Sequence, residues 1–458
     1  MTLLRPNEKH SGIFLYGADE SQTVSGTIWL DPDEGVIAEI PFLDPGDGSA
    51  QVRRWFEDRR PPITILFLGE QKRISLFAAA FASYSMGSPV SIGRLRFECA
   101  VDGEYTGSIA DHLTVSSLTS ELDALAYWTR LTSIDMNVEH RESQRDEVRV
   151  TYSVSAQRGL EWLQGDAKMS LQSSWRPDRE AGRGVHVDDL AILKSRFKKP
   201  RPVNDHLQHH IYFRDFLALI HGCGIYFRRH TVRDRKFPFM TLDRTIHGAE
   251  SVTLVNNRTI ADRGHPEPKQ SDLFLPILTS QSVTPTLLTR WARKYDEWSR
   301  CILPLVGVLR RSGLFAEDIL VNASMSVEAA AHMVGRVSGE SATYTMTGRS
   351  TTATHFYRLL AFSQVDFSEV SASIEDSAYA LADTYNSVKH ADRGPFPEFA
   401  FTYFAGRLAL VVARVSMARL LAPGNPDIDA FTSSWAVGRI LHHMKEQGVR
   451  IDSQGFQR

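Results

Sequence analysis

Asn386, Lys389, His390 and Arg393 bring an amide, two cations and an imidazole into one span of eight residues. Such a set suits a phosphodiester, because an imidazole gives or takes a proton near neutral pH and a guanidinium or ammonium holds the anionic phosphate. The four meet only on a helix, where positions three and four apart share a side. Ile374, Ala378, Leu381, Tyr385 and Val388 advance by four, three, four and three, which predicts a helix over 374–390 with one apolar stripe facing a bundle. A plainer use exists for the same residues: cations near a helix C-terminus are favoured by its dipole and its last carbonyls.

A second group is basic. Residues 186–236 hold 11 Lys and Arg against five Asp, with Lys198, Lys199 and Arg201 in one cluster and Arg228, Arg229, Arg233 and Arg235 in another. Tyr226, Phe227 and Phe237 are interleaved with the second cluster, a composition that suits phosphate contacts plus base stacking on RNA. The alternative is a solvated face whose strand aromatics point inward. His206, His209 and His210 form His-x-x-His-His on a predicted helix, a spacing able to offer two imidazoles to zinc. No His-Glu-x-x-His or paired Cys-x-x-Cys pattern accompanies them, so no metal is expected, nor any other cofactor. Gly182-Arg183-Gly184 has no helix signature after it. The acidic turns at 31–35 and 44–48 lack the full ligand spacing of a calcium loop.

These residues need elements to hold them. Before residue 115 the chain reads as short strands at 12–17, 26–30, 36–40, 63–68, 74–77 and 94–101, separated by turn-forming Asp, Pro and Gly. A helix is predicted from Ser120, strands at 147–154 and 168–175, a helix at 205–220, and strands near 225–230 and 251–255. The pattern changes near residue 280. Thr284-Pro285 has the form of an N-cap followed by proline at the first helical position, and Trp291, Tyr295, Trp298 and Ile302 recur at four, three and four. Helical patterns continue through 315–334, 352–362, 374–390, 397–421 and 428–445. The expected class is α+β: a β-rich region over 1–280, with a further division near 160–200, then an all-α bundle over 281–458.

The 458-residue chain has a net charge of −2. That balance excludes a uniformly basic nucleic-acid coat and permits a local basic patch. Three cysteines, far apart and odd in number, make neither a disulfide framework nor a zinc ribbon, and point to a reducing cytoplasm. Arg5, Glu8 and Lys9 occupy the place of a signal peptide's apolar core, and charges or Pro and Gly interrupt every long apolar run, so no membrane association is expected.

The segment Tyr385-Asn386-Ser387-Val388-Lys389-His390, at the end of a bundle helix, resembles the HEPN superfamily, whose ribonucleases carry Arg, four to six residues, then His. Ser11-Gly12-Ile13-Phe14-Leu15, Val24-Ser25-Gly26-Thr27-Ile28-Trp29-Leu30, and Ile63-Thr64-Ile65-Leu66-Phe67-Leu68-Gly69 followed by Ile74-Ser75-Leu76-Phe77 resemble the opening strands of ApeA-type anti-phage defence proteins. The resemblance implies a sensing N-terminal region and a HEPN effector that cleaves RNA, in general or tRNA in particular, without metal. It also implies a homodimer or higher homo-oligomer that joins two motif helices, a phage-derived trigger, and growth arrest during infection. By the resemblance His390 is the acid/base, Asn386 orients, and Lys389 or Arg393 holds phosphate. Tyr385 stands where the family's arginine would be. Two readings therefore stay open: a ribonuclease with a substitute cation, or an inactive HEPN domain that binds RNA or protein or dimerises.

Overall fold

The computed structural model describes residues 4–16, 22–43, 50–70, 72–87, 89–108, 110–140, 148–178, 186–240 and 245–458. The expected turn at 44–48 and the Gly182 and Gly184 segment lie outside these. The class is α+β, with a β-rich N-terminal part and a helical C-terminal part. Two compact units form: residues 1–126, 130–210 and 226–267 make the first, and residues 127–129, 211–225 and 268–458 the second.

The first unit begins with β1 (His10–Leu15), β2 (Thr23–Asp31), β3 (Gly35–Leu43), α1 (Ala50–Glu57), β4 (Thr64–Gly69), β5 (Arg73–Ser85) and β6 (Val90–Asp102). The strands pair antiparallel in a ring, β1 with β2, β2 with β3, β3 with β6, β6 with β5, β5 with β4 and β4 with β1, so the sheet closes into a six-stranded barrel. Alternation puts Phe14, Ile28, Ile40, Phe67, Leu76 and Phe97 in its core. Val52, Trp55 and Phe56 of α1 join that core, where the Phe42, Phe56 and Tyr84 rings form a near-parallel trio with centroids 5.6 to 6.0 Å apart. Gly93 is required there: a Cβ at 93 would stand 2.2 Å from the Phe56 ring.

The sheet continues beyond the barrel. It runs through β7 (Thr114–Leu122), β10 (Arg158–Gln164), β11 (Ala167–Asp178), β12 (His186–Pro202), β13 (Phe227–Met240) and β14 (Ile246–Asn256), in the order β10-β11-β12-β7-β13-β14-β6. A separate hairpin joins β8 (Ile134–His140) and β9 (Val148–Val154). Ser120, expected to start a helix, lies inside β7, and helix forms only over α2 (Leu125–Thr129). Pairing on both sides, with β12 and β13, outweighs the local helical spacing, and Ala124 with φ 63° breaks the strand from the helix. α3 (Val203–His221) matches the predicted helix, its residues to 210 belonging to the first unit.

In the second unit α4 (Gln270–Leu273), α5 (Pro285–Lys294), α6 (Ser299–Arg310), α7 (Ala316–Val334), α8 (Thr352–Ser363), α9 (Ile374–Lys389), α10 (Phe399–Leu421), α11 (Pro426–Thr432) and α12 (Trp435–Glu446) are followed by the hairpin β15 (Arg450–Asp452) and β16 (Gly455–Gln457). Thr284 caps α5 by accepting from the Leu287 N–H, and Pro285 opens the helix. Trp291, Tyr295, Trp298 and Ile302 are all buried, although the stripe runs across a helix break between α5 and α6. α10 is apolar nearly all round and is the central helix of the unit. Gly406 lets it approach α7, where a Cβ would meet the Leu320 nitrogen at 3.1 Å.

Candidate functional site

α9 is capped at its start by Ser373, whose Oγ accepts from the Asp376 N–H at 3.0 Å, with Glu375 and Asp376 in the positive first turn. Ala378, Leu381 and Tyr385 are buried as the stripe requires, but Ile374 is exposed and Val388 only half-buried. Ser377, Ala380, Ala382 and Thr384 are buried as well, so the packed face is wider than the stripe and made mostly of small residues.

The helix ends at Lys389, and His390 is its C-cap, its N–H bonded to the Asn386 carbonyl at 2.9 Å. The chain then turns. The Arg393 N–H reaches the His390 carbonyl at 3.1 Å, and the Ser387 hydroxyl donates to the Arg393 carbonyl at 3.0 Å, fastening the turn to the last coil of α9. His390 and Arg393 are exposed, and Asn386 is half-buried. Among the described residues the side chains of His390 and Arg393 make no hydrogen bond or ion pair.

Lys389 is placed differently. Its Nζ donates to the Tyr385 hydroxyl at 2.9 Å and lies 5.0 Å from the Tyr385 ring centroid. The Tyr385 hydrogen bond holds the ammonium pKa above its ordinary value, and Glu328 of α7 adds to the effect. Burial raises the Tyr385 phenol pKa, and Lys389 opposes that shift. Lys389 thus has a fixed partner. Arg393 is exposed, as Lys389 is, but among the described residues its side chain has no such partner.

The basic segment divides between the two faces of its sheet. Leu193, Ser195 and Phe197 of β12 are buried, while Lys194 and Arg196 alternate to the other side. Cross-strand register sets Lys168, Arg196, Ser117 and Arg233 in one row and Ser170, Lys194, Thr119 and Thr231 in the next. Burial lowers the Lys194 pKa, and the Arg233 and Arg196 cations lower it further. A depression of about 220 Å³ on β10, β11 and β12 is lined by Arg158, Lys168, Lys194 and Arg196, with Glu161 as its acid.

The seven predicted cations do not form one surface. Arg233 stands in the basic row, and Arg229 lies two rows along, half-buried and bonded to Thr253 Oγ1 at 2.9 Å. Lys198, Lys199 and Arg235 are exposed, and Arg201 is tied to Asp166 at 2.7 Å. Arg228 is structural: Nε and Nη2 grip the buried Asp123 carboxylate at 2.6 Å, Nη1 donates to the His265 carbonyl, and Nη2 also reaches the Pro266 carbonyl. Tyr226, Phe227 and Phe237 are buried and unavailable for base stacking. Lys168, Lys194 and Arg196 form a surface only because β12 is a strand, an element absent from the expectations although residues 193–197 alternate in and out.

His206 and His210 are buried in a hydrogen-bonded chain. His206 Nε2 lies 3.0 Å from the Val115 carbonyl and Nδ1 lies 2.8 Å from Ser195 Oγ, which is 2.8 Å from His210 Nε2. His210 Nδ1 is 2.6 Å from Ser120 Oγ, and Ser120 is 2.7 Å from His230 Nδ1, whose Nε2 is 3.0 Å from Thr259 Oγ1. The carbonyl can only accept, so His206 Nε2 carries hydrogen, which in a neutral ring leaves Nδ1 to accept from the Ser195 hydroxyl. Burial lowers His206 to about 4 and His210 well below its ordinary value. The ring nitrogens of His206 and His210 are thus spent on Ser195, Ser120 and the Val115 carbonyl.

No helix among the described residues is long and apolar enough to cross a membrane. Curated proteins and solved structures give no match to the chain. The sequence profile of the ApeA N-terminal domain 1 family matches residues 9–291, which takes in the barrel, the extended sheet with its basic face, and α3. Over that span, more than half its length, the chain belongs to the ApeA N-terminal domain 1 family.

Proposed function

We infer that this is an anti-phage defence protein whose helical unit is a HEPN-type, metal-independent ribonuclease. Family membership supports the defence role. The nuclease reading rests on one observation: His390 and Arg393 stand exposed and unpaired on a turn fastened to the end of a buried helix, beside Asn386. In this reading the ribose 2′-hydroxyl attacks the adjacent phosphorus, and the bond to the 5′-oxygen breaks. His390 takes or supplies a proton, Arg393 holds a non-bridging oxygen, and Asn386 orients the substrate. One imidazole serves one proton transfer, so a second His390 from another protomer completes the acid and base pair. Lys389 is held by Tyr385 and keeps the helix end in shape. The basic sheet face of the first unit contributes RNA affinity through phosphate contacts.

The rival reading, an inactive domain that binds or dimerises, draws on Tyr385, which is fully buried where the family's arginine would stand. Purified full-length protein incubated with total RNA in EDTA separates the two. Cleavage lost in Arg393→Ala and His390→Ala supports the nuclease, and no cleavage by the wild type with RNA binding intact supports the module.

A further inference from the structure

Within the helical unit, a cavity of about 510 Å³ opens between the end of α3, the start of α4, α10 and α12. It lies on residues that the RNA-cleavage reading does not use. Arg414 forms part of its wall and is 7% exposed. Its guanidinium donates to the Leu219 and Ile220 carbonyls at 2.8 and 3.0 Å. Among the described residues no carboxylate lies within ion-pair reach of it. Gly222, with φ 77°, makes room for it: a Cβ there would stand 2.2 Å from a guanidinium nitrogen. A buried cation without a counter-charge is costly, and an anion in the cavity would relieve that cost.

His221 lines the same cavity at 6% exposure, and neither ring nitrogen has a hydrogen-bond partner of good geometry. Burial lowers its pKa to about 4, Arg414 adds to the shift, and the Leu273 backbone opposes it. The ring is therefore neutral, with one donor and one acceptor. At the mouth, Arg407 lies 5.4 Å over the Tyr403 ring and Arg439 lies 4.7 Å over the Trp435 ring. A guanidinium stacked on an aromatic face keeps its N–H edge free for phosphate. The acids of the lining are already engaged: Asp272 accepts from the Lys269 N–H, and Glu446 pairs with His442 at 3.2 Å.

We propose that this cavity binds a free nucleotide, with Arg407 and Arg439 on its phosphate and the His221 imidazole offered to its base or ribose. Three guanidinium groups call for an anion. The volume falls in the range of roughly 300–1,000 Å³ used by small-molecule sites and far exceeds an inorganic phosphate. Tyr403, Phe404 and Trp435 supply the apolar walls a planar base requires.

Titration of the full chain with AMP, ADP, ATP, GMP and GTP, followed by tryptophan fluorescence and calorimetry, tests this. Ribose 5-phosphate and a short oligoribonucleotide are the comparators. Saturable binding of at least one nucleotide, weakened about tenfold or more by Arg407→Gln and by Arg439→Gln, is the expected result. Both positions are exposed, so the variants should melt as the wild type does. The proposal is overturned if no nucleotide binds at millimolar concentration, or if the variants bind as the wild type does. It is equally overturned if ribose 5-phosphate binds as tightly as the nucleotides, or if the oligoribonucleotide alone binds. None of these outcomes depends on His390.

Discussion

The Lys389 ammonium donates to the Tyr385 hydroxyl across one turn of α9 at 2.9 Å and rests 5.0 Å from the centre of its ring. This pairing assigns the two cations of the site different tasks. Lys389 is occupied at the helix surface, and Arg393, on the turn beyond His390, is open to a phosphate.

RNA cleavage should therefore fall more in Arg393→Ala than in Lys389→Ala. Removing a phosphate-holding charge costs about a hundredfold or more in rate, whereas Lys389→Ala should act chiefly through local order of the helix end. Tyr385→Phe should keep the fold, lose about 1 kcal/mol of stability with the Lys389 hydrogen bond, and leave cleavage largely intact. Single-turnover rates, with denaturant melts of the same variants, check both.

The buried histidine chain sets a pH dependence of stability. His206 titrates near 6.5 when unfolded and near 4 when folded, with His210 depressed too, so below pH 6.5 the unfolded chain binds more protons. Stability should be full above about pH 6.5 and decline as pH falls toward 4. His210→Asn should lower the melting temperature at pH 7.5 yet flatten its fall between pH 7 and 5. A slope unchanged in that variant would count against the neutral chain.

Glu340 acts in the same direction over a more acidic range. It is buried, held by Arg358 at 2.7 and 2.8 Å, by the Tyr344 hydroxyl and by the Val337 N–H, and the Arg358 bonds hold its pKa near 2. Its contribution is present above its unfolded value of 4.5 and is lost as pH drops through the folded one. Glu340→Gln should destabilise the protein by about 3 kcal/mol, because Arg358 remains buried without its charge partner. Urea melts at pH 7 measure this directly.

On the sheet face, Lys194→Glu with Arg233→Glu should weaken RNA binding about tenfold or more and reduce its salt dependence, while Arg228→Ala should instead destabilise the fold. Salt-dependent binding isotherms distinguish the two effects.

Much of this was readable in the sequence. The α9 stripe was local, and the Thr284-Pro285 cap announced α5 through its own side chain. The change from strands to helices followed from period alone. The tertiary decisions were hidden. Ser120 joined a strand because two neighbours paired with it, closure of the barrel depended on β5 meeting β6 and β4 meeting β1, and His206 and His210 turned to serines brought close by the chain's path. The cations of 186–236 gave a correct count of charge, but only β-register decided which of them share a face.

If His390 performs the chemistry of defence, protection from phage depends on its imidazole. The direct measurement compares wild type and His390→Ala, expressed equally, for phage protection and RNA integrity during infection. The variant is expected to fold normally, leave RNA intact and give no protection. Undiminished protection by a normally expressed His390→Ala protein would contradict it.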